Sequence, residues 1–290
     1  MTRNGVCERI LFLRRRIAAI EARGGGLVNA ANRKGPASFA EASAQNPFEL
    51  LLQNLPGGSL SEVVPARPRD AAAAAGFACA LALRAGAARP RSSAVWISED
   101  MAAREIGLPY GRGLEALGLD PARLIFVRTR GPAESLWAME EALKSRAAAI
   151  VAESWITPRA YDLSASRRLA LASRRGGGFG LLLLLRACGE AARLTSAAQL
   201  RFEIAAPPPL TTQTSGRRAQ SLETPGPPGW RLRIAKARAG LPGLGDVDPL
   251  VWRDISFDSE KAVFHHAFSE RVPAPSADRP DFTPARAGRG

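Results

Sequence analysis

Lysine is scarce in this chain. Among 290 residues and 40 Lys plus Arg, the lysines are Lys34, Lys144, Lys236 and Lys261. Loops that grip nucleoside triphosphates need a lysine at a fixed place, so the scarcity bears on phosphate chemistry. Cysteine is scarcer still, with Cys7, Cys79 and Cys188 far apart. An odd, scattered set excludes a disulfide framework and the paired spacing of a zinc site. Cys79 and Cys188 read as small core residues. The two histidines are neighbours, His265 and His266, with no second cluster to complete a metal site. The leucine run 181–185 is too short to span a bilayer. Residues 7–21 alternate charged and apolar side chains, unlike a secretory leader, so a reducing cytoplasmic setting is expected.

What is present is arginine, alanine and uneven punctuation. Net charge is +13 with a pI near 11.0, which suits an acidic partner such as DNA, RNA or an acidic protein face. Arginine and alanine together are also the mark of a GC-rich coding sequence, so part of that charge is background. Hydrophobic residues make up 46%, enough for a substantial core at this length, while 27 glycines and 22 prolines cluster in particular stretches.

Along the chain, residues 6–23 carry Ile10, Leu13, Ile17 and Ile20 at helical spacing and end at Gly24–Gly26. This is an amphipathic helix occupying 1–26, suited to packing on its own domain or to docking on another protein. A polar linker follows at 27–46. From 47 to 204, short apolar runs alternate with helical patterns, the signature of an α/β domain with a largely parallel sheet. Strands are expected at 61–64, 94–98, 123–127, 148–152, 180–185 and 200–204, covered on both faces because they lack polar alternation. Helices are expected at 70–84, 101–108, 111–117, 132–146 and 164–174. Residues 207–229 form a proline-rich excursion. Residues 230–240 alternate like an exposed strand, 251–258 add an edge segment, and the tail 267–290 reads as disordered. The core therefore runs 47–266.

One expected element is chemically incomplete. A phosphate loop reads G-x-x-x-x-G-K-[ST] between a strand and a helix. Counting on from Val64, the first glycine position is Pro65, the second Asp70, the lysine Ala71 and the hydroxyl Ala72. A carboxylate in place of the anion cradle repels phosphate. Only Arg67 and Arg69 could offer a cation there.

The order of pieces resembles the RecA-like ATPase core, and more closely its shortened relative, the ImuA family of damage-inducible mutagenesis proteins. The resemblance runs over roughly 47–240: LPGGSLSEVV (55–64), AVWISED (94–100), LEALGLDPARLIFVR (114–128), AAAIVAES (147–154), DLSASRRLALASRRGGGFGLLLL (162–184), LTSAAQLRFEI (194–204) and WRLRIAKARAG (230–240). In active relatives the second strand ends in a water-activating glutamate, here Glu99 or Asp100, and another strand ends in a Mg²⁺-binding acid, here Glu153. Without the loop's lysine and hydroxyl these acids have no nucleotide-bound metal to serve. The two DNA-contacting loops would fall at 155–161 and 186–193. Both are short, leaving Arg159, Arg186 and Arg193 for phosphate contact but no long loop to wrap single-stranded DNA.

The resemblance implies an accessory protein of error-prone translesion synthesis with no catalytic residues, no cofactor and no metal. Implied partners are an ImuB-like protein, RecA and an error-prone polymerase, with DNA touched directly or indirectly and no membrane. A division inhibitor similar to SulA, acting on FtsZ, and a degenerate ATPase are the alternatives. Candidate contacts to nucleic acid or partner are Arg167, Arg168, Arg174 and Arg175, beside Gly176–Gly178, and Arg233 and Arg238. The same glycines suit a helix C-cap, and the same arginines a solvated face. Trp155 and Trp230 suit either base stacking or capping of the core.

Overall fold

Short β-rich runs pair into one sheet in a computed structural model of the protein, which describes residues 47–55, 58–89, 92–145, 147–207, 228–238 and 251–266. The N-terminal helix at 6–23, the linker at 27–46, all of the 207–229 excursion but its ends, and the tail at 267–290 lie outside the described residues.

In chain order the elements are α1 (Pro47–Gln53), β1 (Leu60–Pro65), α2 (Ala71–Ala87), β2 (Ala94–Glu99), α3 (Asp100–Ile106), α4 (Gly111–Ala116), β3 (Leu124–Thr129), α5 (Pro132–Lys144), β4 (Ala149–Ser154), α6 (Leu163–Gly176), β5 (Phe179–Leu184), β6 (Leu200–Ala205), β7 (Gly229–Ala237), β8 (Arg253–Asp258) and β9 (Val263–His266). Among the described residues they build a nine-stranded sheet of order β3-β2-β4-β5-β1-β6-β7-β8-β9. Strands β3 through β6 in that order pair in parallel, and β7, β8 and β9 then extend the sheet antiparallel. The fold is α/β with a mostly parallel sheet flanked by helices, as the alternating pattern predicts.

Each face has its own core. Residues of α1, α2 and α4 pack on one side against Val63, Trp96, Val151 and Leu183. Met139 and Leu143 of α5 and Leu169 and Ala172 of α6 pack on the other, against Leu60, Ile97, Ile150 and Leu182. Helix α2 with its leading turn, Pro68–Ala87, is long and apolar enough to cross a bilayer, but half of it is buried against the sheet. Its small side chains let it lie close on the strands, a use for the alanine run that composition alone could not show.

Three details depart from expectation. Strand β3 is an edge and not a doubly covered strand: Ile125 is 54% and Phe126 40% exposed. Strand β7 is interior, with Trp230, Leu232 and Ile234 buried and β8 hydrogen-bonded beyond it. Two elements, α1 and β9, go beyond the expected set, and an aromatic cluster explains both. Phe48 of α1 and Phe264 of β9 lie 5.6 Å apart, centroid to centroid. Phe77 of α2 contacts Phe202, Trp230 and Phe264 at 5.4, 5.8 and 5.7 Å. Rings in edge and tilted contact add to the burial that already favours them. Together with the β6–β7 pairing, this cluster ties the antiparallel extension to the helices on that face.

Candidate functional site

The loop after β1 closes where a phosphate loop would open. Ala66 N–H continues the strand by donating to Ile204 O at 2.7 Å, and residues 68–70 make a single 3₁₀ turn into α2. Asp70 stands at the N-cap of α2 and is 4% exposed. Its Oδ1 accepts from Ala206 N–H at 3.1 Å, tying the loop to the end of β6. A helix N-terminus attracts negative charge, and here the chain's own carboxylate holds that place. Arg67 and Arg69 share a cavity of about 610 Å³ with Arg231, but Asp70 and Glu203 line it too.

The acids at the strand ends do not converge. Glu99 and Glu153 sit on neighbouring strands, with Ser98 opposite Glu153, so alternation sends them to opposite faces of the sheet. Glu99 is 1% exposed, and its Oε2 accepts from Ser154 Oγ at 2.9 Å and Trp155 N–H at 2.8 Å. That contact clamps the end of β2 to the end of β4. Asp100 opens α3 and pairs with Arg128 at 2.6 Å on the surface. Glu153 is buried on the α2 side, and burial pushes its carboxyl up to about 7. Trp96 Nε1 and Ser98 Oγ lie close enough to ease that rise, although neither makes a well-formed hydrogen bond to it. Nearby Cys79 is pushed up to about 12, by burial first and by Glu153 second, and is an inert thiol at neutral pH.

The two shortened loops are held by a buried ion pair that the sequence pattern did not single out. Glu62 in β1 and Arg201 in β6 are opposite in the parallel register. Arg201 Nε donates to Glu62 Oε2 at 2.6 Å, Nη1 to Ala191 O at 2.6 Å and Leu194 O at 2.8 Å, and Nη2 to Ser196 Oγ at 2.8 Å. Tyr161 donates to Glu62 Oε1 at 2.8 Å, and its phenol is raised well above its ordinary value by burial, then by the adjacent carboxylate. The ends of both loops, at Tyr161 and at Ala191 and Leu194, are thus fastened to the same pair. The available signal was charge inside strands expected to be buried: Glu62 in SEVV, and Arg201 with Glu203 in LRFEI. Arg159, Arg186 and Arg193 remain exposed on these loops. Trp155 is half-buried beside the core, and Trp230 is inside the aromatic cluster, which removes it as a base-stacking surface.

The six candidate arginines separate. Arg168 of α6 pairs with Glu140 of α5 at 2.5 Å. Arg233 pairs with Glu203 at 2.6 Å and lies 5.0 Å over the ring of Trp252. Arg175 is exposed in the last turn of α6. Arg167, Arg174 and Arg238 come together in one groove of about 490 Å³, joined by Lys236, which sequence reasoning passed over. The lining includes Ala170, Leu171, Ala197, Ala198 and Gln199 and no carboxylate among the described residues. Lys236 Nζ donates to Ser196 O and is half-buried; burial lowers its pKa, and Arg201 and Arg238 add to the effect against Glu62.

The neighbouring glycines serve packing. Gly177 adopts φ 75° and its N–H donates to Ser173 O at 2.8 Å, capping α6 in the left-handed conformation. At Gly176 a Cβ would meet Leu143 O at 1.9 Å.

Among known proteins, Protein ImuA of Caulobacter vibrioides, found in two strains, is 39% identical over 214 residues, which is 71% of this chain and 80% of that one. No family model matches the chain. The crystal structure of SulA from Pseudomonas aeruginosa is 16% identical and aligns over 44% of this chain and 98% of SulA, with a TM-score of 0.33. That likeness carries no structural argument.

Proposed function

The chain belongs to the ImuA family, and on that premise we propose that it is a non-catalytic accessory of damage-induced, error-prone DNA synthesis in the cytoplasm. It acts by contact with an ImuB-like protein, RecA and an error-prone polymerase.

One observation supports contact over catalysis. Glu99 and Glu153, the acids that would serve a nucleotide, lie on opposite faces of the sheet; Glu99 is occupied by Ser154 and Trp155, and Glu153 is buried. With Asp70 at the mouth of α2 and alanines at 71 and 72, no cation waits for a triphosphate at its usual place.

Deleting the gene tests the reading. Mutation frequency after ultraviolet damage should fall toward the spontaneous level, and affinity capture from damaged cells should recover an ImuB-like protein together with RecA. Normal induced mutation in the deletion strain sinks the proposal.

A further inference from the structure

We propose that the groove between α6 and β7 binds the phosphodiester backbone of nucleic acid, through Arg167, Arg174, Lys236 and Arg238. This deepens the accessory role by giving the protein its own hold on DNA, and it rests on that role for its biological setting.

The charge distribution carries the inference. Among the described residues the groove gathers four cations and no carboxylate, whereas Arg168 and Arg233 outside it are each neutralised by an acid. Arg167, Arg174 and Arg238 are exposed, so a ligand reaches them without rearrangement. Lys236 is held by Ser196, whose hydroxyl also accepts from Arg201, so one wall is rigid and anchored to the buried pair.

The spacing favours a chain of charges over a single anion. Arg167 and Arg174 stand two turns apart on α6, roughly 10 Å along its axis. Lys236 and Arg238 flank the end of β7 at alternate positions, roughly 7 Å apart. Cations on two walls at such intervals meet successive phosphates of a polymer. Arginine adds a planar, forked donor suited to phosphate oxygens. An acidic peptide is the competing occupant, but it draws affinity from a buried apolar anchor. The apolar lining here is Ala170, Ala197 and Ala198 with Leu60, Leu163 and Leu171, of which Leu60 is already buried in the core, and no aromatic side chain lines it. Without a stacking platform or base-edge readers, binding should be indifferent to sequence.

Fluorescence anisotropy of the full chain with a labelled thymidine oligonucleotide and with a duplex of equal length tests this. Changing Arg167, Arg174 and Arg238 together to alanine should weaken the preferred form by about tenfold or more and lower the salt slope by about 2 for a single strand. A control with the same loss of charge, Arg104, Arg112 and Arg130 to alanine, should change affinity less than about twofold, because these exposed residues lie away from the groove. Thermal melts of both variants establish that each is folded. Whichever nucleic acid binds more tightly identifies the source of the backbone. Equal losses in the two variants, no binding by the unaltered protein, or tighter groove-dependent binding of a labelled glutamate-rich peptide would each overturn the assignment. Those failures leave the deletion phenotype untouched, so they are separable from failure of the accessory role itself.

Discussion

Glu62 and Arg201 face each other at 2.6 Å across two parallel strands, 0% and 1% exposed, and the loop carbonyls of Ala191 and Leu194 close on the same guanidinium. A charge pair this deep holds position rather than adding much net stability, since removing it from water costs nearly what the attraction returns.

Breaking the pair from one side should be severe. Glu62→Ala leaves Arg201 charged and buried, and should cost about 3–5 kcal/mol in urea denaturation. Tyr161→Phe removes one hydrogen bond to the same carboxylate and should cost roughly 1–2 kcal/mol. The double change of Glu62 and Arg201 to methionine should cost less than the sum of the single changes. Additive losses would mean that the two side chains are not energetically coupled.

Glu153 makes stability fall with rising pH. Its carboxyl rises from 4.5 to about 7 on folding, so between those values the folded chain holds a proton that the unfolded chain has lost. The stabilisation is full below about 4.5, is lost as pH climbs through about 7, and changes little above that. Glu153→Gln should flatten this dependence and, at pH ~8, raise stability by about 3 kcal/mol. Melts from pH ~5 to ~8 decide it, and parallel curves for the two proteins would show that Glu153 does not titrate in that range.

Adjacent glycines should fail for different reasons. Gly176→Ala drives a methyl into the Leu143 carbonyl, at 1.9 Å before relaxation, and should cost at least about 2 kcal/mol. Gly177→Ala meets nothing nearer than the Arg89 side chain at 3.6 Å and pays only for its positive φ, about 1 kcal/mol. Chemical denaturation of both variants should keep that order, and the reverse order would place the tight approach elsewhere.

Magnesium ATP should show no saturable binding by calorimetry. Restoring Ala71→Lys with Ala72→Thr should not create an ATPase, because Glu99 stays clamped to Ser154 and Trp155. A saturable site that disappears on changing Arg67 and Arg69 to alanine would instead mean that the 610 Å³ cavity takes the nucleotide.

Local pattern was enough for the parallel sheet. Apolar runs without alternation marked β1, β2 and β4 to within one or two residues, because strands buried on both faces leave that trace. Exposure was not legible: LIFVR in β3 lacks alternation and yet is an edge, RLRIA in β7 alternates and yet is interior, and only the partner strands decide which. Likewise Arg167 and Arg168 are adjacent in sequence, and helix geometry alone sends one to the groove and the other to Glu140. Lys236 was overlooked because its role depends on α6, which lies far away in sequence.

Phe264 N–H donates to Glu49 Oε2 at 3.2 Å, a bond that spans 215 residues. Arg84 of α2 holds the other oxygen of that carboxylate, so α2, α1 and β9 share one latch. The consequence concerns time. A chain emerging from the ribosome has made α1 long before β9 exists, and Phe48 must wait until every residue between them has been added before it meets Phe264. Closure of the core is therefore a late event, and a nascent chain stalled before residue 263 holds an unfinished aromatic face.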